Sequence, residues 1–268
     1  MTDSRVLLVT GAGTGIGAAT ASRAAADGWQ VVVCGRREAP LLAVAERTGA
    51  HVRVVDVTDA AAVRALVEAV VEELGRLDSV VANAGVMSVG SVTETEPSEW
   101  DAVIATNLTS VYHLARAAMP HLVARRGTFV GVSSIAALRS SRGAAAYATS
   151  KAGLVALVQS MARDFGPSGV RANVVCPGWV RTEMADGEMT EFGAPFGLDR
   201  EQAYAAATEL VPQQRAAEPA EVAAAITWLA GADSAYVNGA VLVVDGGTIL
   251  VDGGTVAFDY QLSPRTSG

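Results

Sequence analysis

Tyr147 and Lys151 form the residue pair with the clearest chemical potential in this chain. They lie four positions apart in GAAAYATSKAGLVALV, a segment of high helix propensity, so both side chains project from one face of a helix. A free tyrosine titrates near pH ~10, and a neighbouring ammonium favours the phenolate, as a general acid/base at neutral pH requires. The alternative is a surface tyrosine beside a solvated lysine.

Lys151 is also the only lysine of the chain, because the other 19 of its 20 basic residues are arginines. Lysine presents a compact ammonium with rotatable donors, whereas arginine presents a rigid planar fork. The use of lysine at this one position indicates a site that a guanidinium cannot fill.

A second pattern, TGAGTGIG at residues 10–17, connects an apolar run with an Ala-rich helical segment. Glycines in such a turn let the backbone approach a diphosphate, and the free amides at the start of the helix attract it. In a chain with 27 glycines, a mere tight turn is the alternative. The placement between the first strand and a helix predicts dinucleotide binding.

Seven short β-branched runs alternate with longer helical segments and are predicted to be strands. They are 5–10, 29–34, 51–56, 77–82, 127–133, 170–175 and 240–245. Continuous apolar runs indicate strands covered on both faces, and helices between them imply right-handed parallel crossovers. The sequence therefore predicts an α/β fold, a Rossmann-like doubly wound seven-stranded parallel sheet with helices on both faces.

The composition argues against several classes of partner. The 268 residues carry a formal charge of -8 and a pI near 4.9, so the overall field repels nucleic acid and anionic membranes. Cys34 and Cys176 each close an apolar run and are predicted to be buried, reduced thiols. His51, His113 and His121 lack ligand spacing, so no metal is expected. Without a signal peptide or membrane span, the chain is predicted to be cytoplasmic.

The chain is interpreted as a single domain over residues 1–254 with a tail over 255–268. An interruption at 183–212 is predicted to be a lid over the substrate. Its apolar side chains would cover an apolar substrate, and the alternative is an ordinary surface excursion in which a few of them pack. These side chains are Met184, Met189, Phe192 and Phe196.

The spacing of Gly11, Gly15 and Gly17 is TGxxxGxG. Together with the YxxxK pair, it resembles the short-chain dehydrogenase/reductase family in its single-domain form. Further family positions follow in order: Asp56, Asn83-Ala84-Gly85, Asn107, Ser134, Tyr147, Lys151, Pro177-Gly178 and Thr182. The matches run from residue 6 to about residue 248 and leave out only the predicted lid and the tail.

The resemblance implies roles for four catalytic residues. Ser134 holds the substrate oxygen, Tyr147 gives or takes its proton, and Lys151 perturbs the tyrosine and bonds the nicotinamide ribose. Asn107 would hold a water that extends the proton path from Lys151, and the alternative is an amide that kinks or caps its helix. The neighbouring Ser133 is expected to face the core or bond the backbone.

The resemblance also implies a set of cofactor-binding residues. They are Gly11, Thr14, Gly15, Ile16, Gly17, Arg36, Arg37, Asp56, Val57, Asn83, Ala84, Gly85, Tyr147, Lys151, Pro177, Gly178, Val180 and Thr182. Within this set, Asp56 would contact the adenine, and Val180 and Thr182 would hold the nicotinamide carboxamide.

The end of the second strand distinguishes two nicotinamide cofactors. An acid there binds the ribose 2′-hydroxyl of NAD(H), whereas a basic group meets the 2′-phosphate of NADP(H). This chain has Gly35-Arg36-Arg37 where NAD members of the family carry aspartate. A guanidinium clamp favours NADP(H). NAD(H) is the alternative if both arginines are only solvated charges at a helix start, and Thr14 is not the basic residue that some NADP(H) members carry.

The resemblance thus implies an enzyme, an NAD(P)-dependent oxidoreductase that interconverts a secondary alcohol and a ketone by hydride transfer. The alternatives are an NAD-dependent dehydrogenase of a diol or sugar alcohol and, more remotely, a non-catalytic dinucleotide-binding protein. The expected partners are a small alcohol or ketone and further copies of the chain. Segments 98–124 and 147–165 resemble the helices that pair in family dimers and tetramers.

Overall fold

The computed structural model describes residues 4–259, which contain one seven-stranded parallel sheet. The strands are β1 Val6–Thr10, β2 Gln30–Gly35, β3 His51–Val54, β4 Ser79–Ala82, β5 Thr128–Val132, β6 Arg171–Pro177 and β7 Val241–Val244. All seven predicted strands and the predicted fold class are confirmed. Strand ends differ from the prediction by two residues at most.

Helices connect the strands and cover both faces of the sheet. They are α1 Gly15–Ala26, α2 Glu38–Thr48, α3 Ala60–Leu74, α4 Pro97–Ile104, α5 Ser110–Arg125, α6 Ala145–Phe165, α7 Glu183–Gly193, α8 Arg200–Thr208, α9 Pro219–Ala230 and α10 Val256–Asp259. The short helix α10 lies in the described part of the predicted tail, and residues 260–268 fall outside the described residues.

The strand order β3-β2-β1-β4-β5-β6-β7 reverses its direction between β1 and β4. Because crossovers between parallel strands are right-handed, the connections on the two sides of this point place their helices on opposite faces. The loops that follow β1 and β4 therefore diverge and leave a crevice at the carboxyl edge of the sheet. The glycine loop follows β1, and Asn83 follows β4.

The sheet divides the core into two layers. On β1, Val6 and Leu8 face one layer while Leu7 and Val9 face the other, as alternation along a strand requires. The first layer packs α3, α5 and α6 against the sheet, and the second packs α1, α2 and α9. Burial of each Val or Leu side chain contributes roughly 1.5–3 kcal/mol. The two apolar layers therefore hold the strand ends in place.

Helix α6 carries Tyr147 and Lys151, and its close packing on β5 positions them. A Cβ atom at Gly131 would lie 2.8 Å from Leu154 Cδ2 and 3.1 Å from Val158 Cγ2. A larger residue at position 131 would therefore have to displace these two side chains. The packing therefore sets the distance between α6 and the carboxyl end of β5.

The segment between β6 and α9 folds as two helices, α7 and α8, around a small core of its own. Met189 is only 1% exposed and packs with Tyr204 of α8. Of the apolar side chains predicted to cover a substrate, Met189 is therefore packed inside the segment, whereas Met184 lines the main cleft. Phe192 and Phe196 contact each other, with ring centroids 5.9 Å apart, and both are exposed.

The chain repeats the sequence VDGGT at residues 244–248 and 251–255, and both copies form the same turn. The carboxylates of Asp245 and Asp252 each accept a hydrogen bond, at 2.9 Å, from the glycine N–H two residues later. In each copy the aspartate carbonyl accepts the N–H of the threonine three residues later. The repeat is thus one Asp-Gly turn used twice.

We expect Gly131→Ala to destabilise the fold, because the added methyl group must displace Leu154 or Val158. Overpacking of this kind costs about 1–3 kcal/mol, which lowers the Tm of a domain of this size by several degrees. Scanning calorimetry measures the change. An unchanged Tm would show that the packing of α6 against the sheet can accommodate an added methyl group without loss of stability.

Gly187→Ala in α7 is the matched control for this substitution. A Cβ atom at Gly187 meets nothing within 4 Å, and alanine raises helix propensity by up to about 1 kcal/mol. The control should therefore keep or raise the Tm.

Candidate active site

A cleft of about 430 Å³ opens at the carboxyl edge of the sheet, where the loops after β1 and β4 diverge. Helix α1 begins at Gly15, so its positive end borders the cleft. Gly11 and Gly15 have φ angles of +62° and +55°, which L side chains rarely adopt. A Cβ atom at Gly11 would also lie 2.7 Å from Ala84 Cα. The loop is therefore a cradle that suits an anion.

Asn83 ties the glycine loop to the loop after β4. Its Nδ2 donates to the carbonyls of Thr10 and Gly11, both at 3.0 Å, and the Thr10 hydroxyl accepts the Asn83 and Ala84 N–H groups. Gly17 is required by this contact, since a Cβ atom there would lie 2.5 Å from Asn83 Nδ2. Gly17 therefore supports the loop from behind and does not line the cleft.

Arg36 and Asp56 line the end of the cleft nearest β2 and β3. The Asp56 carboxylate accepts the Thr58 N–H at 2.9 Å and the Thr58 hydroxyl at 2.8 Å. These bonds, with a smaller contribution from the Arg36 charge, lower the pKa of Asp56. Within residues 4–259, Arg36 has no ion-pair partner and so presents its charge to the cleft.

Arg37 forms a bidentate ion pair with Glu183 across the mouth of the cleft. Its Nη1 and Nη2 atoms lie 3.1 and 2.8 Å from the two carboxylate oxygens, which belong to α7 and are 146 residues distant in sequence. The pair raises the pKa of Arg37 and lowers that of Glu183. No local pattern connects the two residues in the sequence, so this contact was not predicted.

Lys151 is almost inaccessible, with 4% of its surface exposed. Its Nζ donates to the Val132 carbonyl at 3.1 Å and lies 5.6 Å from the centre of the Tyr147 ring. Burial disfavours the charged form and lowers the pKa of Lys151 from 10.5 to about 8. A Cβ atom at Gly85 would lie 3.3 Å from Nζ. A side chain at position 85 would therefore crowd the ammonium.

Tyr147 lines the same cleft in a desolvated position. Burial raises the pKa of Tyr147 from 10.0 to about 12, outweighing the neighbouring Ser134 hydroxyl, which lowers it, and Glu188 and Cys176 raise it further. The prediction that Lys151 brings the Tyr147 pKa toward neutrality is wrong for this arrangement. Burial disfavours the charged form of each group, and the Lys151 ammonium donates to a carbonyl instead of the phenol.

Ser133 and Ser134 follow β5 and point in different directions. Ser133 Oγ donates to the Lys151 carbonyl at 2.9 Å, which confirms the prediction that it bonds the backbone. Ser134 lies beside the Tyr147 hydroxyl and lowers its pKa, and its Oγ accepts the Ala136 N–H at 3.2 Å. Ser134 is thus the serine beside the phenol.

Asn107 lies in a five-residue π-helical turn, Ala105–Thr109, that joins α4 to α5. Its side chain is fully buried: Oδ1 accepts the Val86 N–H at 2.8 Å, and Nδ2 donates to the Val86 carbonyl and to Ser150 Oγ. Turns of this type are frequent at functional sites. The helix-distorting alternative describes this residue. Both polar atoms of the side chain have protein partners, and the water-holding role of Asn107 stays a prediction.

The cleft brings together most of the predicted cofactor-binding residues. Those that line it are Gly11, Thr14, Gly15, Ile16, Arg36, Arg37, Asp56, Val57, Asn83, Ala84, Gly85, Tyr147, Lys151 and Thr182. The predicted site residues that do not line it are Gly17, Asn107, Ser134, Pro177, Gly178 and Val180. Val180 is buried in the α9 layer, and Gly178 packs on Asp245.

Several lining residues were not predicted. They are Gly13, Gly35, Pro40, Leu41, Val55, Val86, Thr106, Val132, Ser133 and Glu183. Most are close neighbours of predicted residues in the same loops. The sequence pattern at the strand ends therefore already indicated this part of the site. Glu183 belongs to the first turn of α7 and reaches the cleft only through the tertiary fold.

Both cysteines lie in the described part of the chain, and neither forms a disulfide. Cys34 and Cys176 are buried and unpaired, as predicted, and burial raises the pKa of Cys34 to about 12.

Within residues 4–259, no cluster of three His, Cys, Asp or Glu side chains could hold a metal ion. No helix of this same part of the chain has the length and apolar character to cross a membrane.

We expect Lys151 to lose its proton near pH 8 in the folded protein, against 10.5 for an ordinary lysine, because its charged form is buried. As the only lysine, it gives a single side-chain resonance in protein labelled with ¹³Cε-lysine, and the shift of that resonance with pH reports the titration. Unfolding in urea should restore a midpoint near ~10.4.

Lys151→Arg, which removes the resonance, verifies the assignment. A folded-state midpoint above about pH 10, the value of an unperturbed lysine, would contradict the burial argument.

Comparisons with known proteins agree with this geometry. A family model described as enoyl-(acyl carrier protein) reductase matches residues 11–248. MoaE of Klebsiella aerogenes is 41% identical over 90% of this chain and 93% of its own. Meso-2,3-butanediol dehydrogenase of Serratia marcescens is 37% identical over 89% of this chain and 92% of its own.

A solved structure extends the likeness to three dimensions. A variant of actinorhodin polyketide ketoreductase with NADPH has a TM-score of 0.87 at 34% identity, covering 91% of this chain and 97% of that one. The matched region runs from the glycine loop through the Tyr147–Lys151 pair and beyond β7, so this chain belongs to the short-chain dehydrogenase/reductase family of oxidoreductases, whose members bind nicotinamide dinucleotides.

Proposed function

We propose that this protein interconverts a secondary alcohol and a ketone by hydride transfer with a nicotinamide dinucleotide, and that NADP(H) is preferred. The observation that carries the proposal is the setting of Tyr147. Its hydroxyl lies beside Ser134, and its ring lies 5.6 Å from Lys151 Nζ, with Tyr147 and Lys151 both lining the cleft.

The cleft suits a dinucleotide. Gly11 and Gly15, with their left-handed backbone, and the positive end of α1 form a cradle that a side chain would fill and a diphosphate can occupy. Asp56 and Val57 are assigned to the adenine, and Lys151 to the ribose beside the nicotinamide. When bound, the nicotinamide supplies or accepts the hydride.

Tyr147 moves the proton in the proposed reaction. As the carbonyl carbon accepts the hydride, the Tyr147 hydroxyl gives its proton to the carbonyl oxygen; in the reverse direction, the phenolate takes the alcohol proton while the C–H bond breaks with its electron pair. Ser134 holds the substrate oxygen. The high pKa of Tyr147 keeps the phenol protonated at neutral pH, and the Lys151 ammonium stabilises the phenolate once it forms.

The preference for NADP(H) rests on Arg36. This residue lines the cleft directly after Gly35 and has no ion-pair partner among residues 4–259. Arg37, the second arginine of the predicted clamp, is held by Glu183. Arg36 therefore carries most of the expected preference, and the related ketoreductase solved with NADPH supports it.

An NAD-dependent dehydrogenase of a diol or sugar alcohol is the second candidate. The 37% identity to a meso-2,3-butanediol dehydrogenase favours it. So does the Arg37–Glu183 pair, because it neutralises one of the two clamp charges. The two candidates share the Tyr147 chemistry and differ in the cofactor and in the polarity of the substrate.

We further propose that residues 183–212 cover the substrate, that the protein acts in the cytoplasm, and that α5 and α6 pair in a dimer or tetramer. Met184 and Tyr147 line the same cleft, which supports the first proposal. The exposed aromatic side chains Trp100 and Tyr112, on α4 and α5, support the third.

We expect Tyr147→Phe to reduce kcat by about 10²–10⁴-fold or more, because it removes the proton donor, and to leave dinucleotide affinity nearly unchanged. Steady-state kinetics over a panel of ketones and a fluorescence titration with NADPH measure the two effects. Tyr236→Phe, at a fully exposed tyrosine outside the cleft, is the matched control and should keep full activity. Turnover retained by Tyr147→Phe would exclude this mechanism.

We expect NADPH to bind at least tenfold more tightly than NADH, a difference of about 1.4 kcal/mol, and Arg36→Ala to erase that difference. Glu183→Gln releases Arg37 and should widen it. Fluorescence titrations with both dinucleotides measure these affinities. Arg47→Ala, at the exposed end of α2, serves as the control. NADH binding as tight as that of NADPH in the unmodified protein would favour the second candidate.

A further inference from the structure

A second cavity, of about 780 Å³, opens at the edge of the sheet where the strands begin, opposite the cleft that holds Tyr147. The residues directly before β1, β2, β4, β5 and β6 line it: Arg5, Trp29, Asp78, Gly127 and Val170. This amino-edge cavity shares no lining residue with the cleft, because the parallel strands all end at the other edge. It is therefore a separate concavity that the proposed reaction does not use.

Four arginines line the amino-edge cavity, although the chain as a whole carries a formal charge of -8. They are Arg5, Arg125, Arg126 and Arg171. Among the described residues that line the cavity, Asp78 is the one acid. Its carboxylate accepts hydrogen bonds from Arg76 Nε and Nη2, both at 2.8 Å, and from the Val6 N–H. Because Arg76 balances this carboxylate, the four lining arginines give the cavity a positive charge.

Main-chain carbonyls hold two of the arginines in place. Arg171 Nη2 donates to the carbonyls of Leu229 and Gly231, at 3.1 and 2.8 Å. Arg125 Nη2 donates to the Gly75 carbonyl at 3.2 Å. Carbonyl groups orient a guanidinium without cancelling its charge, and partial burial lowers the pKa of Arg171 because that charge is poorly solvated. An anion therefore meets two cations that are already oriented.

The other two arginines, Arg5 and Arg126, have unpaired guanidinium groups. Within residues 4–259, neither guanidinium forms a hydrogen bond or an ion pair. Arg5 stacks on Trp29, with Cζ 4.1 Å from the ring centre. Arg126 has a φ angle of +51°, and its stem packs on Gly169, where a Cβ atom would lie 3.0 Å from Arg126 Cγ. Packing therefore positions both side chains, and their charges remain available to a ligand.

This arrangement suits a small anion with several charges. A guanidinium presents a planar fork of donors that matches two phosphate oxygens, and such paired bonds are strong. A single carboxylate has too few oxygens and too little charge to meet four forks. Nucleic acids and anionic membranes would also cover the surface outside the cavity, where the overall charge of -8 repels them. A short chain of phosphoryl groups supplies several charges within the cavity.

We propose that the amino-edge cavity binds a small polyphosphate, a compound with two or more linked phosphoryl groups, and that its four arginines recognise this anion. The bound anion would join the segments that precede β1, β5 and β6 and so stabilise the fold. Binding here requires no hydride transfer, so this inference does not depend on the proposed function.

The test uses the full chain, with inorganic tripolyphosphate as the probe. Isothermal titration calorimetry should show saturable binding that weakens as sodium chloride is added, because salt screens the charges. Arg126→Gln keeps the stem on Gly169 and removes the charge. We expect it to weaken binding by about 10- to 100-fold, the effect of a hydrogen bond to a charged group. Arg5→Gln is a second, independent variant and should also weaken binding.

Arg47→Gln is the matched control, because it removes one exposed arginine charge outside the cavity, at the end of α2. It should keep the affinity of the unmodified protein. Arg36→Gln tests the competing site, since the cleft beside the glycine loop also suits an anion. Loss of binding in Arg36→Gln and not in Arg126→Gln would place the anion in the cleft and overturn the proposal. Absence of binding by the unmodified protein overturns it as well.

A spectroscopic measurement locates the anion in the unmodified set of arginines. Labelling with 5-fluorotryptophan gives one ¹⁹F resonance for each of the four tryptophans, and Trp29→Phe identifies the resonance from the cavity. Tripolyphosphate should shift this resonance with the midpoint found by calorimetry, because Arg5 lies on the Trp29 ring. A Trp29 resonance that does not move would contradict the proposal. Citrate that binds as tightly as tripolyphosphate would overturn the assignment to polyphosphates.

Discussion

The burial of one ammonium group is the constraint on which the rest of the site depends. Lys151 reaches the cleft from α6 with 4% of its surface exposed and donates to the Val132 carbonyl. It can do so because Gly131 lets α6 lie close to β5 and because Gly85 leaves space around Nζ. The same packing also positions Tyr147, one turn earlier on the helix. The contacts that hold α6 on the sheet therefore position both side chains of the site.

Desolvation shifts the pKa values of Lys151 and Tyr147 in opposite directions. It lowers the pKa of Lys151 and raises that of Tyr147. For each side chain, the neutral form is therefore favoured over the charged form. Phenolate and ammonium stabilise each other only when both are charged together. The site therefore stabilises a phenolate at Tyr147 only while the Lys151 ammonium is charged. For this reason, the pKa of Tyr147 in the resting protein is a poor measure of its reactivity.

Sequence patterns predicted the strands, the glycine loop and the backbone contact of Ser133, because each is encoded within a few neighbouring residues. They did not predict the Arg37–Glu183 pair, which joins residues far apart in the chain. They also gave the wrong direction for the pKa of Tyr147, since spacing on a helix shows which groups are near but not how completely both are removed from water. The saturated amide of Asn107 depends likewise on a contact with Val86 in a separate loop.

The use of lysine at a single buried position has a consequence for the surface of the protein. Every basic side chain other than Lys151 is an arginine, so the exterior offers no side-chain amine to an acetyltransferase, to ubiquitin conjugation or to an aldehyde cross-linker. A reagent that modifies a lysine of this chain must enter the cleft and change the ammonium beside Tyr147. In this protein, modification of a lysine and loss of the buried ammonium are one event.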